Sequence, residues 1–207
     1  MKLFLASEGS DPRTTEKLEE YVGGLKGKKV VYIPTARNGE NEFGQWHDSS
    51  TWQFLQNSGM EVTSAQLEDY KDDSVIKLFE NKDIFWFSGG AAGYLMYWIR
   101  RVELDKHLPR LLEKSLWVGS SAGSMITSNS LGVCDWYIGE SEPGASLIPG
   151  LGYVDFEIYP HYEENLLGEI KRRFKGNKLY LLKNGEVIIF LDGKVTVLGE
   201  VRIITNV

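Results

Sequence analysis

The chain has 207 residues, 42% of them hydrophobic and 25% charged, an ordinary folded balance that excludes intrinsic disorder and fits one α/β domain spanning 1–207. A net charge of −6, from 23 Lys and Arg against 29 Asp and Glu, argues against a general nucleic-acid partner. The longest apolar run, Tyr94 to Ile99, is far too short for a membrane span, and the single Cys134 excludes an internal disulfide and any multi-cysteine zinc site.

Lys2–Ala6 is short and apolar, a first strand. Asp11-Pro12 reads as an N-cap followed by Pro at the first helical position, with Leu18, Tyr21, Val22 and Leu25 at helical spacing behind it. Lys29–Ile33 is a second buried strand, stopped by Pro34. Asp48–Ser58 predicts a helix closed by Gly59, Glu61–Gln66 a strand, Asp72–Glu80 a short helix and Asp83–Phe87 a strongly apolar strand. After the glycine turn Ser88-Gly89-Gly90 comes a helix with Leu95, Trp98 and Ile99 on one side, then the strand Leu116–Val118. This alternation predicts a parallel, doubly wound sheet with helices on both faces, a three-layer sandwich of flavodoxin-like type. The last third changes style. Val154–Tyr159 is strand-like, and Glu163–Lys175 is helical through Leu166, Leu167, Ile170 and Phe174. Leu179–Leu182, Val187–Leu191 and Val195–Leu198 are separated by Asn184-Gly185 and Asp192-Gly193, which predicts a C-terminal antiparallel hairpin extension in the form of a meander.

Gly119-Ser120-Ser121-Ala122-Gly123 fits G-x-S-x-G and directly follows a predicted strand. The bare pattern is common, and a glycine-lined loop that merely lets strand and helix pack closely is the plain structural alternative. Its position favours a sharp strand-to-helix turn with Ser121 at the apex, and the helix beginning there aims N–H groups and partial positive charge at the site. In a doubly wound sheet the turn at Gly89-Gly90 reaches the same crevice, so Gly90 N–H and Ala122 N–H are the candidate oxyanion donors.

A serine nucleophile needs a base, and three histidines are available: His47, His107 and His161. His161 is favoured because it sits just past the strand Val154–Tyr159, where site residues collect. His107 lies in a polar helical stretch, and His47, beside Trp46, reads as packing or capping. The third member stays open at this stage. Asp135 and Asp155 fit a Ser–Asp–His order, whereas Glu157, Asn184, Glu186 and Asp192 flank or follow His161.

Five segments in order resemble the dipeptidase E (α-aspartyl dipeptidase) family of serine peptidases. They are Val30–Ala36, Phe87–Gly90, Gly119–Ser124, Val154–Phe156 with Pro160–Tyr162, and Asn184–Ile188. That family is related to cyanophycinases and has a class I glutamine-amidotransferase-like fold. The resemblance implies Ser121 as nucleophile, His161 as base and Gly90 and Ala122 as oxyanion donors. It also places Asn184 where the family has its third member, a Glu, with Glu186 two residues on as a substitute, and Asp135 near a family aspartate. Ala91 stands where the family often has Asn.

The leading expectation is therefore a cytoplasmic serine hydrolase of peptidase or dipeptidase type, acting on small peptides through an acyl-enzyme, without metal or cofactor. The alternatives are a non-catalytic binding protein for a small metabolite or peptide on the same fold, and an α/β-hydrolase-type esterase, which requires Asp135 or Asp155 against His161. Monomer and homodimer are both open. The run Lys171-Arg172-Arg173 reads as an exposed helix face that, placed over the crevice, would attract an acidic substrate.

Overall fold

The computed structural model describes residues 1–40 and 45–206. The first 120 residues supply β1 (Lys2–Ala6), β2 (Lys29–Ile33), β3 (Glu61–Ser64), β4 (Ile84–Phe87) and β5 (Leu116–Ser120). The rest of the chain adds β6 (Glu157–Tyr159), β7 (Lys178–Leu181), β8 (Val187–Leu191), β9 (Lys194–Leu198) and β10 (Ile203–Thr205). A seven-stranded sheet runs in the order β3-β2-β4-β5-β1-β8-β9. Its first five strands pair in parallel, and β8 and β9 close the far edge as an antiparallel hairpin.

The helices are α1 (Pro12–Val22), α2 (Thr35–Asn38), α3 (Ser50–Asn57), α4 (Ala92–Arg101), α5 (Leu104–Leu111), α6 (Ala122–Met125), α7 (Gly132–Asp135) and α8 (Leu167–Arg173). α1 begins as its sequence dictates: the Asp11 side chain accepts from Arg13 N–H, and Pro12 fills the first turn. It ends where Gly23 adopts φ 71°, returning its N–H to Glu20 and that of Gly24 to Glu19.

The sheet is buried on both faces, which explains its continuous apolar strands. Leu3, Leu5, Val31, Ile33, Phe85 and Phe87 face one core with α4 and α5, and Phe4, Val30, Tyr32, Trp86 and Val118 face the other. Phe87 and Trp117 stack at 3.7 Å in the first core, and both are fully buried. Among the described residues no helix is long and apolar enough to cross a membrane.

Several boundaries differ from the sequence expectation. α3 starts at Ser50, capped by Ser49, while Trp46–Asp48 forms a separate 3₁₀ turn. Asp73–Leu78 is 3₁₀ rather than α, and the stretch before α8 opens with the 3₁₀ turn Glu164–Leu166. The expected meander is only half present. Asp192-Gly193 joins β8 to β9, but Asn184-Gly185 joins no paired strands. β7 instead belongs to a second sheet, parallel to β6 and antiparallel to β10. The turn chemistry is present (Gly185 has φ 85° and Glu186 N–H reaches Lys183 O at 3.0 Å), yet the chain enters it from one sheet and leaves in the other. Local turn propensity fixes a reversal, and tertiary packing decides what pairs across it.

Candidate functional site

The register of β1 gathers the site. Ala6 pairs with Ser120 of β5 on one side and Val187 of β8 on the other. Ser7, Ser121 and the Asn184–Glu186 turn therefore meet at one edge, with the Gly89-Gly90 turn following β4 beside them. Ligand crevices of α/β sheets lie outside these carboxyl ends of the strands.

Ser121 adopts φ 47° and ψ −109°, a conformation that costs a non-glycine residue on the order of 1–3 kcal/mol. The surroundings enforce it. A Cβ on Gly119 would lie 2.5 Å from Gly123 O, and one on Gly123 would lie 2.3 Å from Phe87 O. Ser121 N–H faces Ala6 O and Ser7 O, each at 3.1 Å. Its neighbour Ser120 is turned inward, 3% exposed, and accepts from Gly9 N–H at 2.8 Å. The two serines thus have separate tasks, since Ser120 pins the loop after β1 and Ser121 opens into a cavity of about 290 Å³. His161, Gly90, Tyr32, Glu8 and Arg37 also line that cavity.

Gly90 has φ 127°, and a Cβ there would lie 2.3 Å from Ala36 O. Among the described residues neither Gly90 N–H nor Ala122 N–H has a hydrogen-bond acceptor. The helix behind Ser121 is shorter than the sequence suggests. α6 spans four residues, so its macrodipole is small, and any anion stabilisation rests on the individual N–H groups.

The missing side-chain cap at Ala91 is supplied from a distant loop. Glu142 Oε1 accepts from Ala92 N–H at 2.6 Å and Oε2 from Gly93 N–H at 2.8 Å, closing the start of α4. Burial pushes this carboxyl above its usual range, with the N–H groups of α4 pulling the other way. Glu142 also borders a small recess with Glu140, Gly90 and Ser121.

His161 follows β6 and has φ 52°. Its Nδ1 lies 2.7 Å from Asn184 Oδ1, which leaves Nε2 as the remaining ring nitrogen. Both Ser121 and His161 line the cavity, and among the described residues no hydrogen bond joins the Ser121 hydroxyl to the ring. Buried Ser7 ties the parts together: its Oγ accepts from His161 N–H at 2.8 Å and lies 3.1 Å from both Asn184 Oδ1 and Leu182 O. Nothing in the sequence singles out Ser7 or Glu142, because their partners lie far away along the chain.

The other candidates are engaged elsewhere. Asp135 accepts from Gly144 N–H at 2.6 Å and Ser146 N–H at 3.3 Å, and hydrogen bonds from Ser146 and Gly144 hold its carboxyl below the usual range. Glu186 accepts from Lys183 N–H and pairs with Arg202 at 2.7 Å. Of Asn184, Asp135 and Glu186, only Asn184 touches His161. Glu157 bonds Val133 N–H, and Asp192 pairs with the N-terminal amine. His47 stacks on Trp46 at 3.5 Å, and His107 lies 3.7 Å from Asp73. Arg172 and Arg173 both pair with Glu169 at 2.5 Å and line neither the cavity nor the recess, which removes the expected acid-attracting role.

The family model for Peptidase family S51 matches residues 3–198. A Listeria monocytogenes EGD-e protein, provisionally described as peptidase E, superposes with a TM-score of 0.78 at 23% identity. That match covers 95% of this chain and 96% of that one. A peptidase from an acI-B1 Actinobacterium superposes with a TM-score of 0.71 at 19% identity, over 99% of this chain and 89% of that one. At these identities the structural likeness speaks for the fold. No curated protein matches the chain.

Proposed function

The chain belongs to peptidase family S51, a family of serine peptidases, and from that premise we propose that it cleaves small peptides, dipeptides among them, with Ser121 as nucleophile and His161 as base. Ser121 Oγ attacks the scissile carbonyl carbon while its proton passes to His161 Nε2. Gly90 N–H and Ala122 N–H receive the oxyanion. The tetrahedral species collapses, the C–N bond breaks, and the leaving amine takes the proton from His161. Water, deprotonated by the same nitrogen, adds to the acyl carbon; the bond from that carbon to Ser121 Oγ breaks, the acid leaves, and His161 returns the proton to Oγ. Asn184 holds the ring through Nδ1 throughout, as a neutral orienter does in Cys-His-Asn sites.

The observation that carries this reading is the conformation of Ser121: its strained backbone sits in a turn closed by the tight packing of Gly119 on Gly123 and of Gly123 on Phe87, and it lines the same cavity as His161. A fluorophosphonate probe tests it. The wild-type chain is expected to be labelled and Ser121→Ala to stay unlabelled, while Ser120→Ala keeps labelling. Equal labelling of wild type and Ser121→Ala removes Ser121 from the chemistry.

A second reading, a binding protein without catalysis, draws on the neutral Asn184 and on there being, among the described residues, no hydrogen bond between the Ser121 hydroxyl and the His161 ring. Catalytic hydrogen bonds are often long before substrate binds, so the missing bond does not count against the first reading. Dipeptide binding by an unlabelled wild type would select the second. The esterase reading loses its support, because Asn184 meets His161 Nδ1, Asp135 is held by Gly144 and Ser146, and among the described residues no hydrogen bond joins Asp155 to His161.

A further inference from the structure

Ser7 is fully buried directly after β1, and it hydrogen-bonds to the backbone N–H groups of both Ser121 and His161 and reaches the Asn184 side chain. Its carbonyl accepts from Ser121 N–H at 3.1 Å, and its N–H donates to Glu186 O at 3.2 Å. Its hydroxyl oxygen accepts from His161 N–H at 2.8 Å and faces Asn184 Oδ1 and Leu182 O at 3.1 Å each. Resting on the reading of Ser121 and His161 given above, we propose that Ser7 is a positioning residue that sets which nitrogen of His161 carries the proton, by selecting the orientation of the Asn184 amide.

The argument is one of donors and acceptors. A hydroxyl has one proton to give, and an amide offers an acceptor on one side and two donors on the other. Leu182 O competes for that proton at the same 3.1 Å, but it already accepts from Tyr162 N–H at 3.0 Å, so the Ser7 proton turns to Asn184 and requires Oδ1 on that side. The same oxygen then accepts from His161 Nδ1–H, and Nε2 is left with its lone pair for the Ser121 proton. With the amide reversed, Nδ2 would donate to Nδ1, the ring proton would sit on Nε2, and the ring could not act as base. A carboxylate at position 184 would accept in either orientation and would need no such help. The neutral amide has no preference of its own, and Ser7 supplies one.

The test reads the ring directly. Long-range proton–nitrogen spectra of the full chain, recorded well above the imidazole titration range, distinguish the two neutral forms of each ring. Three histidines are present, and His161→Gln assigns the third. In the wild type the Nδ1–H form is expected to dominate at His161. In Ser7→Ala the Nε2–H form is expected to rise to a comparable population, and the fluorophosphonate labelling rate to fall by about tenfold or more. The double variant Ser7→Ala with Asn184→Asp is expected to recover both, because an acceptor-only carboxylate replaces the selected amide. That recovery would not follow if Ser7 served packing alone. Ser7→Cys, a nearly isosteric weak donor, gives the same reading at intermediate size should Ser7→Ala fail to fold. An unchanged ring form and unchanged labelling in either single variant overturn the proposal. An unlabelled wild type whose ring still changes form with Ser7 would instead fault the peptidase mechanism and leave the role of Ser7 standing.

Discussion

Asn184 Oδ1 lies 2.7 Å from His161 Nδ1, so a neutral amide orients the ring. An amide fixes geometry, but it does not neutralise the imidazolium that forms when the ring takes the serine proton. Two substitutions separate these contributions. Asn184→Ala loses orientation and is expected to lower kcat by about tenfold to a hundredfold with little change in KM. Asn184→Asp keeps an acceptor and adds charge, and is expected to raise kcat above wild type. Steady-state hydrolysis of a dipeptide panel reads both, and a wild-type rate in Asn184→Ala would remove this residue from the mechanism.

Ser120 and Ser121 differ in task although they are adjacent. Ser120 Oγ is the acceptor for Gly9 N–H at 2.8 Å in a buried setting. Ser120→Ala leaves that donor unpaired and is expected to cost about 1–3 kcal/mol of stability. Labelling of Ser121 should persist. Thermal or urea unfolding with probe labelling checks both halves, and a fully stable Ser120→Ala would deny the pinning role.

Gly90 carries two demands at once, a positive φ of 127° and a Cβ direction that ends 2.3 Å from Ala36 O. Gly90→Ala must move the turn and with it the candidate oxyanion donor. Loss of one such donor costs about a hundredfold to a thousandfold in kcat. The expected result is a rate loss of that order, accompanied by a lower Tm because the turn is strained. Hydrolysis kinetics and a melt on the same preparation check it. A normal rate would show that the donor lies elsewhere.

The parts of this molecule that were legible in the sequence are those set by neighbours along the chain. β1, β2, β4 and β5 are visible because strands buried on both faces read as unbroken apolar runs. α1 is visible because Asp11, Pro12 and Gly23 punctuate it, and the turn at Ser121 because its glycines are local. What failed to show depends on pairing across distance. β7 carries the same pattern whether it joins β8 or β6, and the Asn184-Gly185 turn is compatible with both. Glu142 as the cap of α4 and Ser7 as partner of His161 arise from contacts 50 and 154 residues apart, and no local signal encodes them.

Glu157 gives the chain a predictable response to pH. It lies half-buried on β6, with Oε2 accepting from Val133 N–H at 3.2 Å, and burial pushes its carboxyl above the usual range despite that bond. The folded state therefore holds this proton more tightly than the unfolded state does. The contribution to stability is fully present below the ordinary glutamate pKa, near 4.5, and is lost as pH rises through the raised folded value. Glu157→Gln keeps an oxygen for Val133 N–H and never ionises, so it lacks that loss. The variant is expected to melt above wild type at pH 8, with the gap closing as pH falls toward 4.5. Paired melts across this range read the difference directly, so that slopes from other groups cancel. A gap independent of pH would mean that Glu157 ionises as freely in the folded chain as in the unfolded one.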